Sequence, residues 1–106
     1  MRELTPVECR QYLEQADPVP LVLDVREPWE YGIVNLEDSK LIPMRKIPAS
    51  AETLDPHRET IVVCHHGIRS RQVALFLEHQ GFSNVVNLRG GLDAWARDLD
   101  PAMPTY

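Results

Sequence analysis

The sequence predicts an α/β domain, a parallel sheet covered by helices on both faces, and three observations lead there. Short β-branched apolar runs alternate along the chain with stretches of helical period, the pattern of strand–helix–strand crossovers, which are right-handed. One strand–loop–helix unit is especially clear: TIVVC, then HHGIR, then SRQVALFLEHQG. The chain has 106 residues, the length of one ordinary domain, so residues 1–106 are expected to form a single domain that holds all of the chemistry.

The elements follow in order. Thr5 is placed as an N-cap, Pro6 as the first helical residue and Glu8 to bond back, a capping box that opens a helix. Cys9, Leu13 and Ala16 give that helix one apolar face, and Asp17 with Pro18 ends it. Pro20 to Val25, PLVLDV, is a short apolar run best read as a buried strand. Pro28 opens a brief helical turn, PWEYG, and a weaker strand is expected over Lys40 to Ile42. Residues 43–59 carry three prolines and show little periodicity. TIVVC is then a strand, HHGIR a polar loop, and a helix starts near Ser70 and closes at Gly81. Val85 to Leu88 reads as another strand and GGLDAWARDL as a final helix, with DPAMPTY a loosely held terminus.

Composition excludes several classes of function. There are 11 basic and 16 acidic residues, a net charge of −5, and no Lys or Arg stripe that could track a phosphate backbone, so nucleic acid is not expected as a partner. No apolar stretch approaches the roughly 18 to 20 residues of a membrane span, and MRELTPVECRQYL lacks the two regions of a signal peptide. A cytoplasmic chain without membrane contact is therefore expected. The two cysteines, Cys9 and Cys64, sit in different contexts and are expected to stay reduced.

Ligands of parallel sheets bind outside the carboxyl ends of the strands, which is where Cys64 falls. Taken alone, Cys64 would read as a small core hydrophobe. Its strand-end position, the glycine-containing polar loop and Arg69 five residues on argue for a nucleophile instead. Loop amides turned inward, the positive end of the following helix and the Arg69 charge all favour the thiolate, the reactive form. Gly67 fits a backbone shape or close approach that a side chain would block.

The remaining polar and aromatic residues carry blander readings. His65 and His66 could suggest a metal site, but neighbouring side chains around a tight loop do not readily converge with Cys64 on one tetrahedral ion, so no metal is expected. They read first as solvated loop histidines, with proton transfer or donor binding as the alternative. Asp24 and Arg26 are expected to form a satisfied structural pair. Gly90 and Gly91 let the chain turn into the last helix, while Trp95, Trp29 and Tyr31 read as packing.

Three segments, LVLDVREPWEYG, CHHGIRS and NLRGGLDAW, occur in the order and at about the spacing of the rhodanese homology family, and the whole chain resembles it. The resemblance implies a rhodanese-like three-layer α/β/α fold with a parallel sheet of about five strands flanked by helices. It also implies a sulfurtransferase that moves sulfane sulfur, from thiosulfate or a similar donor, to a thiophilic acceptor through a cysteine persulfide. On that resemblance Cys64 and Arg69 are the catalytic residues, Cys64 carrying sulfur and Arg69 attracting an anionic donor. The amides of His65 to Ser70, those of His65, His66, Gly67, Ile68, Arg69 and Ser70, would hold the terminal sulfur. Ping-pong kinetics with no metal or organic cofactor are implied. The expected partners are a small anionic sulfur donor and a thiol or protein acceptor; oligomeric state has no signature in the residues. Where the family often shows GHIPGAxNIP, this chain has VNLEDSKLIP, so that wall of the pocket is expected to differ.

Two other functions compete. Cysteine phosphatases and arsenate reductases of the related fold resemble CxxxxxR, whereas four residues separate Cys64 from Arg69 here, a shorter ring suited to one sulfur. The second is a carrier that hands persulfide sulfur from protein to protein, which an open cradle would favour.

Overall fold

The computed structural model describes residues 1–106. Five strands, β1 (Arg2–Leu4), β2 (Leu21–Asp24), β3 (Lys40–Leu41), β4 (Thr60–Val63) and β5 (Val85–Leu88), form one sheet in the order β1-β5-β4-β2-β3. Every neighbouring pair is parallel. The helices are α1 (Pro6–Gln15), α2 (Pro28–Ile33), α3 (Ile47–Ser50), α4 (Ile68–His79) and α5 (Gly91–Asp98).

The period-two alternation of strand side chains divides the apolar residues between two cores. Val22, Ile61, Val63 and Val86 point to one face, where Cys9 of α1 and Leu92 and Trp95 of α5 cover them. Leu23, Val62 and Val85 point to the other, under Ile47 of α3 and Val73, Ala74 and Leu77 of α4. Because both faces are covered, the central strands are largely apolar runs rather than alternating, broken only by Asp24, Thr60 and Asn87. Each such side chain, taken out of water, contributes on the order of 1.5–3 kcal/mol.

The start of α1 follows the expected box: Glu8 N–H donates to Thr5 Oγ1 and Thr5 N–H to Glu8 Oε1, at 3.3 and 2.9 Å. Cys9 is buried, which pushes its thiol up to about 11, and it lies on the opposite face of the sheet from Cys64. Both cysteines are free. No helix is long and apolar enough to cross a membrane.

Several expectations are corrected. β1 has no counterpart in the sequence reading, because it is a three-residue edge strand containing two charges and is recruited by pairing with β5. Residues 44–53 form consecutive helical turns, with Pro48 in the first turn of α3, where its missing N–H costs nothing. α4 begins at Ile68, two residues ahead of Ser70, because the left-handed Gly67 already serves as its N-cap. Trp29 is 63 % exposed rather than packed inside. In the divergent stretch after α2, the Tyr31 hydroxyl donates to Ser39 O at 2.9 Å and so fixes the approach to β3. The C-terminal tail is also pinned, through Tyr106, as the site makes plain.

Candidate active site

β4 ends in the middle of the sheet, and Cys64 follows at its carboxyl end. The chain then reverses through Gly67, whose φ of +94° belongs to the left-handed region, and enters α4. A Cβ at this position would meet Gly90 N at 3.0 Å and Leu88 O at 3.3 Å, so glycine is needed for space as well as for conformation. The turn aims two main-chain donors at the sulfur. Gly67 N–H lies 3.1 Å and Ser70 N–H 3.3 Å from Cys64 Sγ.

The first bond of the α4 ladder runs from Arg71 N–H to Gly67 O, so the amides of Ile68, Arg69 and Ser70 lie ahead of it at the helix's positive end. Of the amides expected to form the cradle, those of Gly67 and Ser70 bond to Sγ, whereas those of His65, His66, Ile68 and Arg69 do not. Cys64 is only 1 % exposed, so these donors hold a sulfur that water barely reaches. Charge on that atom is stabilised by fixed dipoles instead.

Behind the sulfur, buried Ser70 places its Oγ 3.3 Å from Sγ and donates to Asn87 Oδ1. Asn87 of β5 donates in turn to Glu3 Oε2 at 2.8 Å and Gly67 O at 3.2 Å, tying strand, loop and helix together.

Arg69 grips Glu30 of α2 through both carboxylate oxygens, at 2.7 and 2.8 Å. Glu30 also accepts Glu27 N–H and the Tyr106 hydroxyl, at 2.8 and 2.9 Å. The Arg69 guanidinium, against the opposing effect of burial, pulls Glu30 down to about 2, with the Glu27 amide and the Tyr106 hydroxyl helping. Two of the five N–H groups of Arg69 are committed to Glu30, and the other three make no hydrogen bond within the protein.

The pairing expected for Asp24 and Arg26 is present and fully buried, with Nε–Oδ1 at 2.9 Å and Nη2–Oδ2 at 2.8 Å. Arg26 Nη1 reaches on to the Tyr106 hydroxyl at 2.9 Å. Asp24, Arg26, Tyr106, Glu30 and Arg69 thus form one hydrogen-bonded chain from the sheet to the sulfur loop.

The opposite side of the loop is clasped by α5. Leu92 N–H donates to Cys64 O at 2.9 Å and Asp93 N–H to His65 O at 3.0 Å. His65 lies half-buried in the loop rather than free in solvent: its ring stacks on Tyr106 at 3.8 Å between centroids and 13° between planes, with exposed His66 at 3.9 Å on another side. Burial and the adjacent His66 pull His65 below the ordinary histidine value. The ring nitrogens of His65 and His66 do converge, with a carboxylate oxygen of Asp93 rather than with Cys64, all within 4.8 Å of one another.

Glu30, Asn87, Tyr106 and Asp93 were absent from the sequence-derived site. Asn87 alone left a trace, a polar residue inside the apolar strand VVNL.

The rhodanese-like domain family model matches residues 5–98. The chain belongs to that family. Its five-stranded parallel sheet flanked by helices is the rhodanese-like fold: a rhodanese-like domain protein from Staphylococcus aureus superposes with a TM-score of 0.82 at 33 % identity, covering 90 % of this chain and 91 % of that one. A sulfurtransferase of Allochromatium vinosum is 34 % identical over 97 residues, 92 % of this chain and 90 % of that protein. The rhodanese-like/PpiC domain-containing protein 12, chloroplastic, of Arabidopsis thaliana is 42 % identical over 89 residues, 80 % of this chain and 30 % of that protein. This rhodanese-like chain spans between 23 and 30 % of the length of the first curated relatives it matches. Family and relatives together support sulfur transfer as its general chemistry.

Proposed function

We propose that this rhodanese-like domain is a sulfurtransferase that takes sulfane sulfur from a small anionic donor of the thiosulfate kind and carries it as a persulfide on Cys64. The observation that carries the proposal is the pair of amides, Gly67 and Ser70, aimed at a buried Cys64 Sγ. In the first half-reaction the thiolate attacks the outer sulfur of thiosulfate. A Cys64 S–S bond forms, the donor's S–S bond breaks, and sulfite leaves with the electron pair. The free N–H groups of Arg69 attract the anion, and the amides ahead of the α4 ladder receive the terminal sulfur. In the second half-reaction a thiophilic acceptor attacks that terminal sulfur, and the electron pair returns to Cys64. The deciding experiment is incubation with thiosulfate, read by intact mass and sulfite release. The native chain gains one sulfur, about 32 Da, and Cys64→Ser gains none; a native chain that releases no sulfite would overturn the proposal.

A protein acceptor is favoured by one further feature. A groove of about 470 Å³ adjoins the sulfur loop at His66 and Gly67 and runs past Ile68, Arg71, Leu75 and Arg89. Ile68 and Leu75 are 69 % and 49 % exposed, Arg89 is matched by Glu3 of the same groove, and Arg71 forms no ion pair, so the groove suits an apolar segment carrying an acidic residue opposite Arg71. Leu75→Asp would slow transfer to such a protein while leaving loading from thiosulfate intact.

A further inference from the structure

We infer that His65, His66 and Asp93 form a binding site for a borderline transition-metal ion, of which Zn²⁺ is the type, at the rim of the sulfur loop. The three side chains each place one ligand atom within 4.8 Å of the others, and they come from two elements that the backbone locks together. Gly91 makes that lock. A Cβ there would lie 2.5 Å from Cys64 O and against His65 O, so only glycine lets α5 approach this closely. The approach is fixed by Leu92 N–H to Cys64 O and Asp93 N–H to His65 O, at 2.9 and 3.0 Å, which sets Asp93 beside the two histidines before any ion arrives.

The donor set selects the class of ion. Two imidazoles and one carboxylate suit Zn²⁺, Ni²⁺ or Cu²⁺, whereas Mg²⁺ and Ca²⁺ prefer shells of oxygen. Three protein ligands leave a fourth position of a tetrahedral ion open. The movement required is small. Zn–N bonds of about 2.0–2.1 Å at a near-tetrahedral angle place two imidazole centroids about 5 Å apart, against the present 3.9 Å. His65 is held against Tyr106, so exposed His66 supplies that swing. The only ion pair competing for Asp93 is an exposed contact with Arg97 at 3.8 Å.

The test separates this site from Cys64. Zn²⁺ is titrated calorimetrically into Cys64→Ser, then into the same background carrying His66→Ala or Asp93→Asn, with folding of each checked by circular dichroism. One ion per chain is expected in Cys64→Ser, with affinity falling on the order of tenfold or more for each added change. Because His66 is exposed and Asn is isosteric with Asp, both variants retain the fold, and His57 and His79 remain as controls for scattered histidine binding. Co²⁺ loaded into the native chain gives ligand-field bands without thiolate-to-cobalt charge transfer. The inference is overturned if Cys64→Ser takes up no Zn²⁺, if His66→Ala and Asp93→Asn bind like their parent, or if the native Co²⁺ spectrum carries the thiolate band.

Discussion

Asn87 takes the hydroxyl proton of Ser70 that would otherwise face the Cys64 sulfur. Both amide hydrogens of Asn87 are directed at acceptors, Glu3 Oε2 and Gly67 O, so its oxygen is the atom turned toward Ser70. Ser70 Oγ stands 2.5 Å from that oxygen and 3.3 Å from Sγ, and a hydroxyl has one proton to give. In this arrangement Ser70 meets the sulfur with a lone pair. As negative charge develops on the sulfur, the proton has to turn from Asn87 to Sγ.

Ser70→Ala therefore removes a donor used only in the charged state. A hydrogen bond to a charged acceptor contributes about 1.5 kcal/mol, so discharge of the loaded sulfur to a small thiophilic acceptor, the half-reaction that returns the electron pair to Cys64, should slow roughly tenfold. Single-turnover transfer from the preloaded chain decides it, and a rate equal to the parent's would mean that the two amides suffice.

Acid should loosen the α2–α4 junction through Glu30. Its carboxyl is held at about 2 in the folded chain, below its ordinary 4.5, by Arg69 above all. A depressed folded value stabilises at neutral pH, and that contribution is lost as pH falls from about 4.5 toward 2. Glu30→Gln should lose it everywhere. A fully buried pair broken on one side costs about 3–5 kcal/mol, but Arg69 keeps 35 % of its side chain in water. Solvent screening brings the loss to roughly 1–2 kcal/mol at neutral pH, and the gap from the parent should narrow below about pH 4.5 and close only toward about pH 2. Thermal melts of both chains across that range test it; a constant gap would deny the titration.

Tyr106 shows where sequence reading ran out. Pairing within a short span was legible: the Thr5–Glu8 box, the Asp24–Arg26 pair and the β4–loop–α4 unit all depend on residues a few positions apart. Glu30, Asn87 and Tyr106 act on partners 39, 17 and 76 to 80 residues away; nothing local marks Glu30 or Tyr106, and Asn87 shows only as a polar residue inside an apolar strand. The DPAMPTY tail looked unanchored because its anchor is folded chain: the Tyr106 ring has Trp29 at its edge at 5.7 Å and His65 on its face. β1 escaped notice for the same reason, since its hydrogen bonds come from β5.

Tyr106→Phe isolates the hydroxyl, which accepts from Arg26 and donates to Glu30. Losing it should cost about 1–1.5 kcal/mol in chemical denaturation, because Arg26 Nη1 keeps a second acceptor in Glu30 O at 3.2 Å. Tyr106→Ala also strips the ring from His65 and should cost more. Equal losses in the two variants would show that the stacked ring contributes nothing.

Gly91 gives the sharpest geometric test. Its φ of +63° is left-handed, and a Cβ would press into the carbonyls of Cys64 and His65, which as backbone cannot rotate aside. Gly91→Ala must push α5 off the loop and break the Leu92–Cys64 and Asp93–His65 hydrogen bonds. Left-handed strain of about 1 kcal/mol and two lost bonds of about 1 kcal/mol each sum to roughly 3 kcal/mol. Gly32, inside α2 with nothing within 4 Å of a built Cβ, is the matched control: Gly32→Ala should be neutral or stabilising by up to about 1 kcal/mol, since alanine favours helix. If Gly91→Ala melts with the parent, the close approach of α5 to the sulfur loop is not what holds Cys64 and His65 in place.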